Sequence, residues 1–208
     1  MALEDYDSHG VKGLPEAHMK RSKQNRPKDC PFVGKGGLKL QFALEHFGID
    51  ARGMIAADLG CNVGGFTDAL LQAGASKVYA VDTSYGLLAW KLRTDERVVV
   101  FERTNALYWT APEPLDLVVA DLGWTRQELA LPVMARILRP GGQALSLVKP
   151  QYEAAGNRGV LPEERIPEVL EIVHAAIPEE FQVLGEERSP YVGGGGNIEY
   201  WLRLGKHE

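Results

Sequence analysis

Short apolar segments typical of β-strands alternate with segments of helical periodicity along most of this 208-residue chain. A strand segment at 53–60 is followed by a helical segment at 64–74 and a second strand segment at 77–82. Apolar strands separated by helices form parallel sheets that are covered on both faces. The last two strand segments, 181–187 and 198–204, are joined by a loop too short for a helical crossover and should pair antiparallel. The sequence therefore predicts an α/β fold with a mostly parallel seven-stranded sheet and one antiparallel strand near the C-terminus.

A polar residue closes four of the predicted strands, and these residues are Asp58, Asp82, Asp121 and Lys149. Pro150 follows Lys149 and stops that strand, because proline removes a ladder donor and pushes the preceding residue into an extended conformation. In open α/β sheets, ligands bind outside the carboxyl ends of the strands. We therefore expect the four polar residues to line a crevice.

The turn after the first strand reads DLGCNVGG, residues 58–65. Gly60 and Gly64 let the backbone approach a ligand closely, and Gly65 opens the following helix. The spacing differs from the GxGxxG of dinucleotide-binding folds, which weakens a dehydrogenase interpretation. An acidic residue, Asp58, two positions before the first glycine is instead the pattern of a site for S-adenosylmethionine (SAM). A plain tight turn is the alternative interpretation.

Other polar positions suit the separate parts of SAM. The amino-acid end and the sulfonium carry positive charge, so the carboxylates of Asp58 and Asp121 are expected to favour binding. Asp82 lies 24 residues after Asp58, at the end of the second strand, where it is placed to accept both ribose hydroxyls. Asn105 follows the third strand and is placed to contact the adenine.

Several longer stretches resemble one known family. They are GGLKLQFALEHFGID, DLGCNVGGFTDALLQAGA, KVYAVDTSYGLLAWKLR, ERTNA, LRPGG, LVKPQYE and GNIEYWL, and they run from about residue 36 to residue 204. On these stretches the chain resembles the FtsJ-like ribosomal RNA 2′-O-methyltransferases, and most closely their TlyA-type subgroup. The resemblance implies a Rossmann-like methyltransferase with SAM as cofactor. It also implies an RNA ribose hydroxyl as methyl acceptor and RNA, ribosomal RNA above all, as partner.

The resemblance also implies the site residues. A catalytic tetrad is implied at Lys39, Asp121, Lys149 and Glu199. Contacts with SAM are implied at Gly64, Phe66, Asp82, Asn105 and Asp121.

The chemistry of methyl transfer to an alcohol explains why such a tetrad would serve. A protonated alcohol is a poor nucleophile, so a base must lie within hydrogen-bond reach. Lysine ordinarily titrates near ~10.4 and acts as a base only when its pKa is lowered, which burial and the neighbouring charge of Lys39 favour for Lys149. Asp121 is expected to oppose the lowering of the Lys149 pKa while it fixes the position of the Lys149 amine. Glu199 is expected to orient Lys39 or to accept a hydrogen bond from the ribose. Taken alone, a Lys–Asp pair at a sheet edge is more often a surface salt bridge.

Charge is distributed unevenly along the chain. The net charge is −5, yet the segment from His18 to Leu40 holds seven basic residues and one acidic residue. We expect residues 1–35 to form a basic, flexible arm and residues 36–208 to form the methyltransferase domain. TlyA-type relatives carry an S4-like RNA-binding domain ahead of this domain, and the chain is expected to lack it. The arm could then meet RNA phosphates, whereas a solvated leader is the alternative.

The composition argues against several other classes of protein. No segment is long and apolar enough to span a membrane, so pore formation is not expected. Two cysteines, Cys30 and Cys61, have no metal-ligand spacing, and a reducing cytoplasmic location without a metal site is expected. Base methylation is disfavoured, because Cys61 lies within the SAM turn and no Asn-Pro-Pro-aromatic motif occurs. Trp124 could stack on an RNA base or serve in packing. A SAM enzyme for another substrate class and a noncatalytic RNA-binding protein that keeps the fold remain as alternatives.

Overall fold

The computed structural model describes residues 29–155 and 159–208. Its strands are β1 Ile55–Leu59, β2 Lys77–Val81, β3 Val98–Phe101, β4 Leu115–Ala120, β5 Leu138–Val148, β6 Phe181–Arg188 and β7 Tyr200–Lys206. Its α-helices are α1 Gly36–His46, α2 Gly65–Gln72, α3 Trp90–Arg93, α4 Gln127–Ile137, α5 Pro150–Glu153 and α6 Ile166–Ala175. Three 3₁₀ turns lie at Ala106–Tyr108, Glu163–Arg165 and Gly194–Gly196.

The seven strands form one sheet in the order β3-β2-β1-β4-β5-β7-β6. The β1–β5 strands pair in parallel, and β7 runs antiparallel to both of its neighbours. This arrangement confirms the predicted fold class. Strand order reverses between β1 and β4, the point at which ligands bind in sheets of this kind.

Both faces of the sheet are buried at its central strands. Leu117, Val119 and Leu145 belong to the apolar cluster under α1 and α2, whereas Val118 and Ala144 belong to the cluster on the opposite face. Alternate residues of a strand point to opposite faces, so a strand covered on both sides must be apolar throughout. The continuous apolar runs of the sequence have this origin.

The structure adds details that the sequence patterns did not predict. The segment Arg139–Gly142 is an irregularity within β5, where the pairing with β4 shifts register. Glu199 lies immediately before β7 rather than on it. The predicted arm, residues 1–35, falls mostly outside the described residues, and residues 29–35 lead as loop and bends into α1. Within the described residues no helix is long and apolar enough to cross a membrane.

Candidate active site

A crevice opens at the carboxyl ends of the central strands, where the polar strand ends were predicted to meet. It consists of two adjoining cavities of about 400 and 380 Å³. The residues common to both cavities are Gly60, Asn62, Asp121 and Gly123. The crevice is therefore elongated and crosses the ends of β1 and β4, the shape required by an extended ligand.

The glycine turn after β1 forms the wall between the cavities. Gly60 has φ +87°, and a Cβ there would lie 2.9 Å from the carbonyl oxygen of Asp121. Gly65 lines the first cavity, and a Cβ there would lie 2.9 Å from the amide nitrogen of Gly37 in α1. Gly64, at φ +97°, faces Leu92 and Leu88 instead of the cavity. The turn thus allows close backbone packing, and a contact between Gly64 and SAM stays a prediction.

Asp58 lies at the floor of the first cavity and is completely buried. Its Oδ2 accepts hydrogen bonds from the amide and the hydroxyl of Thr67, at 2.8 and 2.7 Å. Its Oδ1 has no hydrogen-bond partner in the described structure. Burial raises the pKa of Asp58 to about 7, although the two Thr67 hydrogen bonds oppose the shift. A buried acceptor without a donor is costly, so Oδ1 suits a cationic ligand group.

Asp82 and Asn105 line the second cavity, as predicted for the adenosine end. The carboxylate of Asp82 accepts hydrogen bonds from the amides of Asn62 and Ser84, both at 2.7 Å, and so holds two loops in place. Oδ1 of Asn105 accepts the Leu107 amide at 2.9 Å and caps a 3₁₀ turn. Both side chains are fixed by backbone contacts, which prepares them to meet a ligand without further ordering.

Phe66 is buried, lines the first cavity and packs against Trp201 of β7 with ring centroids 5.5 Å apart. It therefore fixes the apolar part of the cavity wall at the start of α2.

The four residues of the predicted tetrad lie together as two ion pairs, Lys39 with Glu199 and Lys149 with Asp121. Lys39, Asp121 and Lys149 line the first cavity, and Glu199 lies behind Lys39 with 2% of its side chain exposed. Burial raises the pKa of Glu199 above its usual value, although Lys39 opposes the shift. The inner pair is thus shielded from water, whereas the Lys149–Asp121 pair, with side chains 15% and 26% exposed, faces the crevice.

Two aromatic rings stand at the crevice mouth beside Lys149. Trp124 is 86% exposed, and its ring lies 4.7 Å from that of Tyr152 between centroids, at an interplanar angle of 31°. The Nζ of Lys149 lies 6.0 Å from the centroid of the Tyr152 ring. Trp124 therefore does not pack into the core, and its free ring face is open to solvent.

Sequence reasoning missed several residues that shape the site. Thr67, which supports Asp58, lies in the first turn of the apolar helix α2 and belongs to no recognised motif. No sequence pattern assigns Tyr152 or Lys35 to the site, because only the fold brings them to the crevice. Gly193 belongs to the glycine run 193–196, which gives no sign of its position against Glu199, described below.

Comparisons with known proteins agree with this geometry. The model of a family described as FtsJ-like methyltransferase matches residues 32–206. YqxC of Bacillus subtilis is 41% identical over 183 residues, which cover 83% of this chain and 65% of that protein. The 16S/23S rRNA (cytidine-2′-O)-methyltransferase TlyA of Mycobacterium tuberculosis is 42% identical over 183 residues, covering 83% of this chain and 68% of that protein. The chain thus spans about two thirds of the length of these curated relatives.

Solved structures of other proteins share the fold of this chain. A hemolysin-type protein from Streptococcus thermophilus has a TM-score of 0.83 at 40% identity, over 88% of this chain and 70% of that one. The N-methyltransferase NodS from Bradyrhizobium japonicum, at 16% identity, covers 88% of this chain and 100% of that one, with a TM-score of 0.61, and shares the fold alone. The chain therefore belongs to the FtsJ-like methyltransferase family, as its sequence motifs predicted.

Proposed function

We propose that this protein transfers the methyl group of SAM to the 2′-hydroxyl of a ribose in RNA, with Lys149 as general base. The observation that carries the proposal is the position of Lys149, which faces the crevice beside Asp121 while Asp58 presents an unpaired buried oxygen to the same cavity. One cavity thus holds an acceptor for a cation and an amine able to take a proton.

The residues of the crevice fit SAM, which supplies an activated methyl group on a sulfonium when it is bound. Asp58 would hold the ammonium of its amino-acid end, and Asp82 and Asn105 would hold the ribose and the adenine. Asp121 lies in both cavities and would meet the centre of the ligand, where positive charge is located.

The two ion pairs of the tetrad would have different roles, with Lys149–Asp121 taking part in the reaction and Glu199–Lys39 lying behind it. Lys149 would take the proton of the ribose hydroxyl as the methyl group is transferred, with Asp121 fixing the direction of its amine. Lys39 lines the same cavity as Lys149, and Glu199 holds Lys39 in place from the buried side.

Ribosomal RNA is the proposed substrate, because the TlyA relative named above is a 16S/23S rRNA (cytidine-2′-O)-methyltransferase and is 42% identical in a match that covers 83% of this chain. A cytoplasmic location follows from such a substrate. How the RNA is held outside the crevice would depend on residues 1–35, which lie mostly outside the described residues, or on another protein.

A methyl-transfer assay with labelled SAM tests the proposal against its alternatives. The purified protein would be offered ribosomal RNA, a protein extract and a small-metabolite extract in parallel. Label in the RNA alone is expected. Label in either other fraction would indicate another substrate class, and SAM binding without any label would indicate a noncatalytic protein.

Trp124→Ala is expected to raise the KM for RNA about tenfold to a hundredfold, since stacking on one base contributes ~1–3 kcal/mol. The stability should change little, because the side chain is 86% exposed. Trp90→Ala is the matched control, since Trp90 is 77% exposed and lies at the start of α3, outside the segment after β4 that holds Trp124. Equal KM values for the wild type and Trp124→Ala would remove the ring from RNA binding.

Gly193→Ala is expected to lower kcat about 10- to 100-fold, because a small displacement of a catalytic group is costly. A Cβ at Gly193 would lie 2.8 Å from Cδ of Glu199 and closer still to its Oε1, so Glu199 would be pushed away from Lys39. The backbone of Gly193, at φ −74°, accepts alanine without strain. SAM affinity and the unfolding temperature should stay near the wild-type values.

Gly195→Ala controls for a general effect on the loop. A Cβ there would approach only Asn197 Nδ2, at 3.9 Å, but φ +72° imposes backbone strain. If Gly195→Ala lowers kcat as much as Gly193→Ala, the loss belongs to the loop and not to the position of Glu199.

A further inference from the structure

Lys35 is a charged residue of the crevice that the tetrad does not use. It lies immediately before α1, is exposed, and lines the first cavity together with Lys39 and Lys149. Gly34 and Gly36 flank it, so no neighbouring side chain on its own segment shields the ammonium group. Lys35 therefore places a positive charge at the rim of the cavity in which the reaction is proposed to occur.

The other lysines of the described residues all have a partner. They pair as Lys39 with Glu199, Lys77 with Glu113, Lys91 with Asp68, Lys149 with Asp121, and Lys206 with the carbonyl of Leu138. For Lys35, the residues described by the structure provide no hydrogen bond or ion pair to the ammonium group. An ammonium left free where a ligand must enter is available to an anion.

The charges of the cavity balance except for two groups. Lys39 is neutralised by Glu199 and Lys149 by Asp121, which leaves Asp58 at the buried floor and Lys35 at the exposed rim. Asp58 suits a cationic group of SAM. Lys35 at the rim is then left to pair with an anionic group. Each nucleotide of an RNA acceptor carries a phosphate, which would reach the rim when the ribose enters the cavity.

We infer that Lys35 binds a backbone phosphate adjacent to the acceptor ribose and so positions the 2′-hydroxyl in front of Lys149. This inference rests on the proposed function. The carboxylate of SAM is the other anion that could reach the cavity. It is attached to the same carbon as the ammonium, however, and would follow that ammonium towards the buried floor at Asp58, away from the rim.

The test compares Lys35→Ala, Lys35→Arg and Lys206→Ala with the wild type. Lys206 is the matched control, because it is also a lysine but lies far from the crevice. It is the last residue of β7, which runs antiparallel to β5 and therefore ends where the parallel strands begin. For each protein, methylation kinetics on ribosomal RNA would be measured at several salt concentrations, and S-adenosylhomocysteine affinity would be measured by calorimetry.

Lys35→Ala is expected to raise the KM for RNA about three- to tenfold, the range of a partly exposed charged contact. The salt dependence of RNA binding should become shallower by about 0.7 in log–log slope, as for one lost phosphate contact. Lys35→Arg should retain near-wild-type KM, since arginine also binds phosphate. The affinity for S-adenosylhomocysteine should stay unchanged in all variants, and Lys206→Ala should match the wild type.

Three results would overturn the inference in distinguishable ways. Wild-type KM and salt slope in Lys35→Ala, with methylation intact, would remove Lys35 from RNA binding and leave the proposed function standing. Weaker S-adenosylhomocysteine binding in Lys35→Ala would assign the residue to the cofactor carboxylate. A wild-type protein that neither binds nor methylates RNA would overturn the proposed function and this inference together.

Discussion

Lys149→Ala is expected to lower the rate of methyl transfer about 10²- to 10⁴-fold, the contribution of a general base. The affinity for SAM should stay close to that of the wild type, because the cofactor contacts proposed above involve other residues. Single-turnover kinetics on ribosomal RNA, with calorimetric measurement of cofactor binding, separate the two effects.

Lys149→Arg distinguishes a base from a fixed charge. Arginine keeps the positive charge beside Asp121 but does not give up its proton in proteins, so Lys149→Arg should be nearly as slow as Lys149→Ala. If Lys149→Arg retains most of the wild-type rate, Lys149 acts by its charge alone. If Lys149→Ala itself keeps wild-type turnover, Lys149 has no part in the mechanism.

Asp58→Asn is expected to weaken SAM binding about tenfold to a hundredfold, because a hydrogen bond to a charged group contributes ~1.5–3 kcal/mol. It should also remove a pH dependence. Burial raises the pKa of Asp58 to about 7, so the free wild-type protein carries a neutral Asp58 at pH 6 and must release a proton to bind the ammonium of SAM. Wild-type affinity should therefore rise from pH 6 to pH 8, with proton release at pH 6 visible in calorimetry across buffers of different ionisation enthalpy.

The same group links pH to the stability of the free protein. The folded pKa of Asp58 is raised from 3.8 to about 7, so the folded state holds this proton more tightly than the unfolded state. Its contribution to stability is present below pH 4 and is lost as pH rises to about 7, a loss of about 4 kcal/mol at ~1.4 kcal/mol per pH unit. Asp58→Asn should lack this loss. If the free energy of unfolding changes equally with pH in the wild type and in Asp58→Asn, Asp58 does not titrate between pH 4 and pH 7.

The sequence was sufficient for the features that depend on local pattern. Continuous apolar runs predicted β1, β2 and β4, because a strand covered on both faces cannot alternate. The helical segment predicted at 64–74 ends at Gly74, which has a positive φ of +93°. The polar residues at the strand ends meet in one crevice because parallel strands present their carboxyl ends at the same edge.

Features that depend on contacts between distant segments were not accessible to the same reasoning. Lys39 and Glu199 are 160 residues apart, and their pairing, separate from that of Lys149 and Asp121, follows from the packing of α1 beside the segment before β7. For Glu199 the sequence left two roles open, which were orienting Lys39 and accepting a hydrogen bond from the ribose. The hydrogen bonds of Thr67 to Asp58 and the close approach of Gly193 to Glu199 likewise arise from packing, and neither residue type predicts such a role.

Nucleoside analysis of the RNA product is the most direct measurement of the account. Ribosomal RNA treated with the wild-type protein and SAM would be digested to nucleosides and examined by mass spectrometry. A gain in one 2′-O-methylated nucleoside is predicted. A methyl group on a base, or no methylated nucleoside at all, would contradict the proposal that the Lys149 amine takes the proton of a ribose hydroxyl.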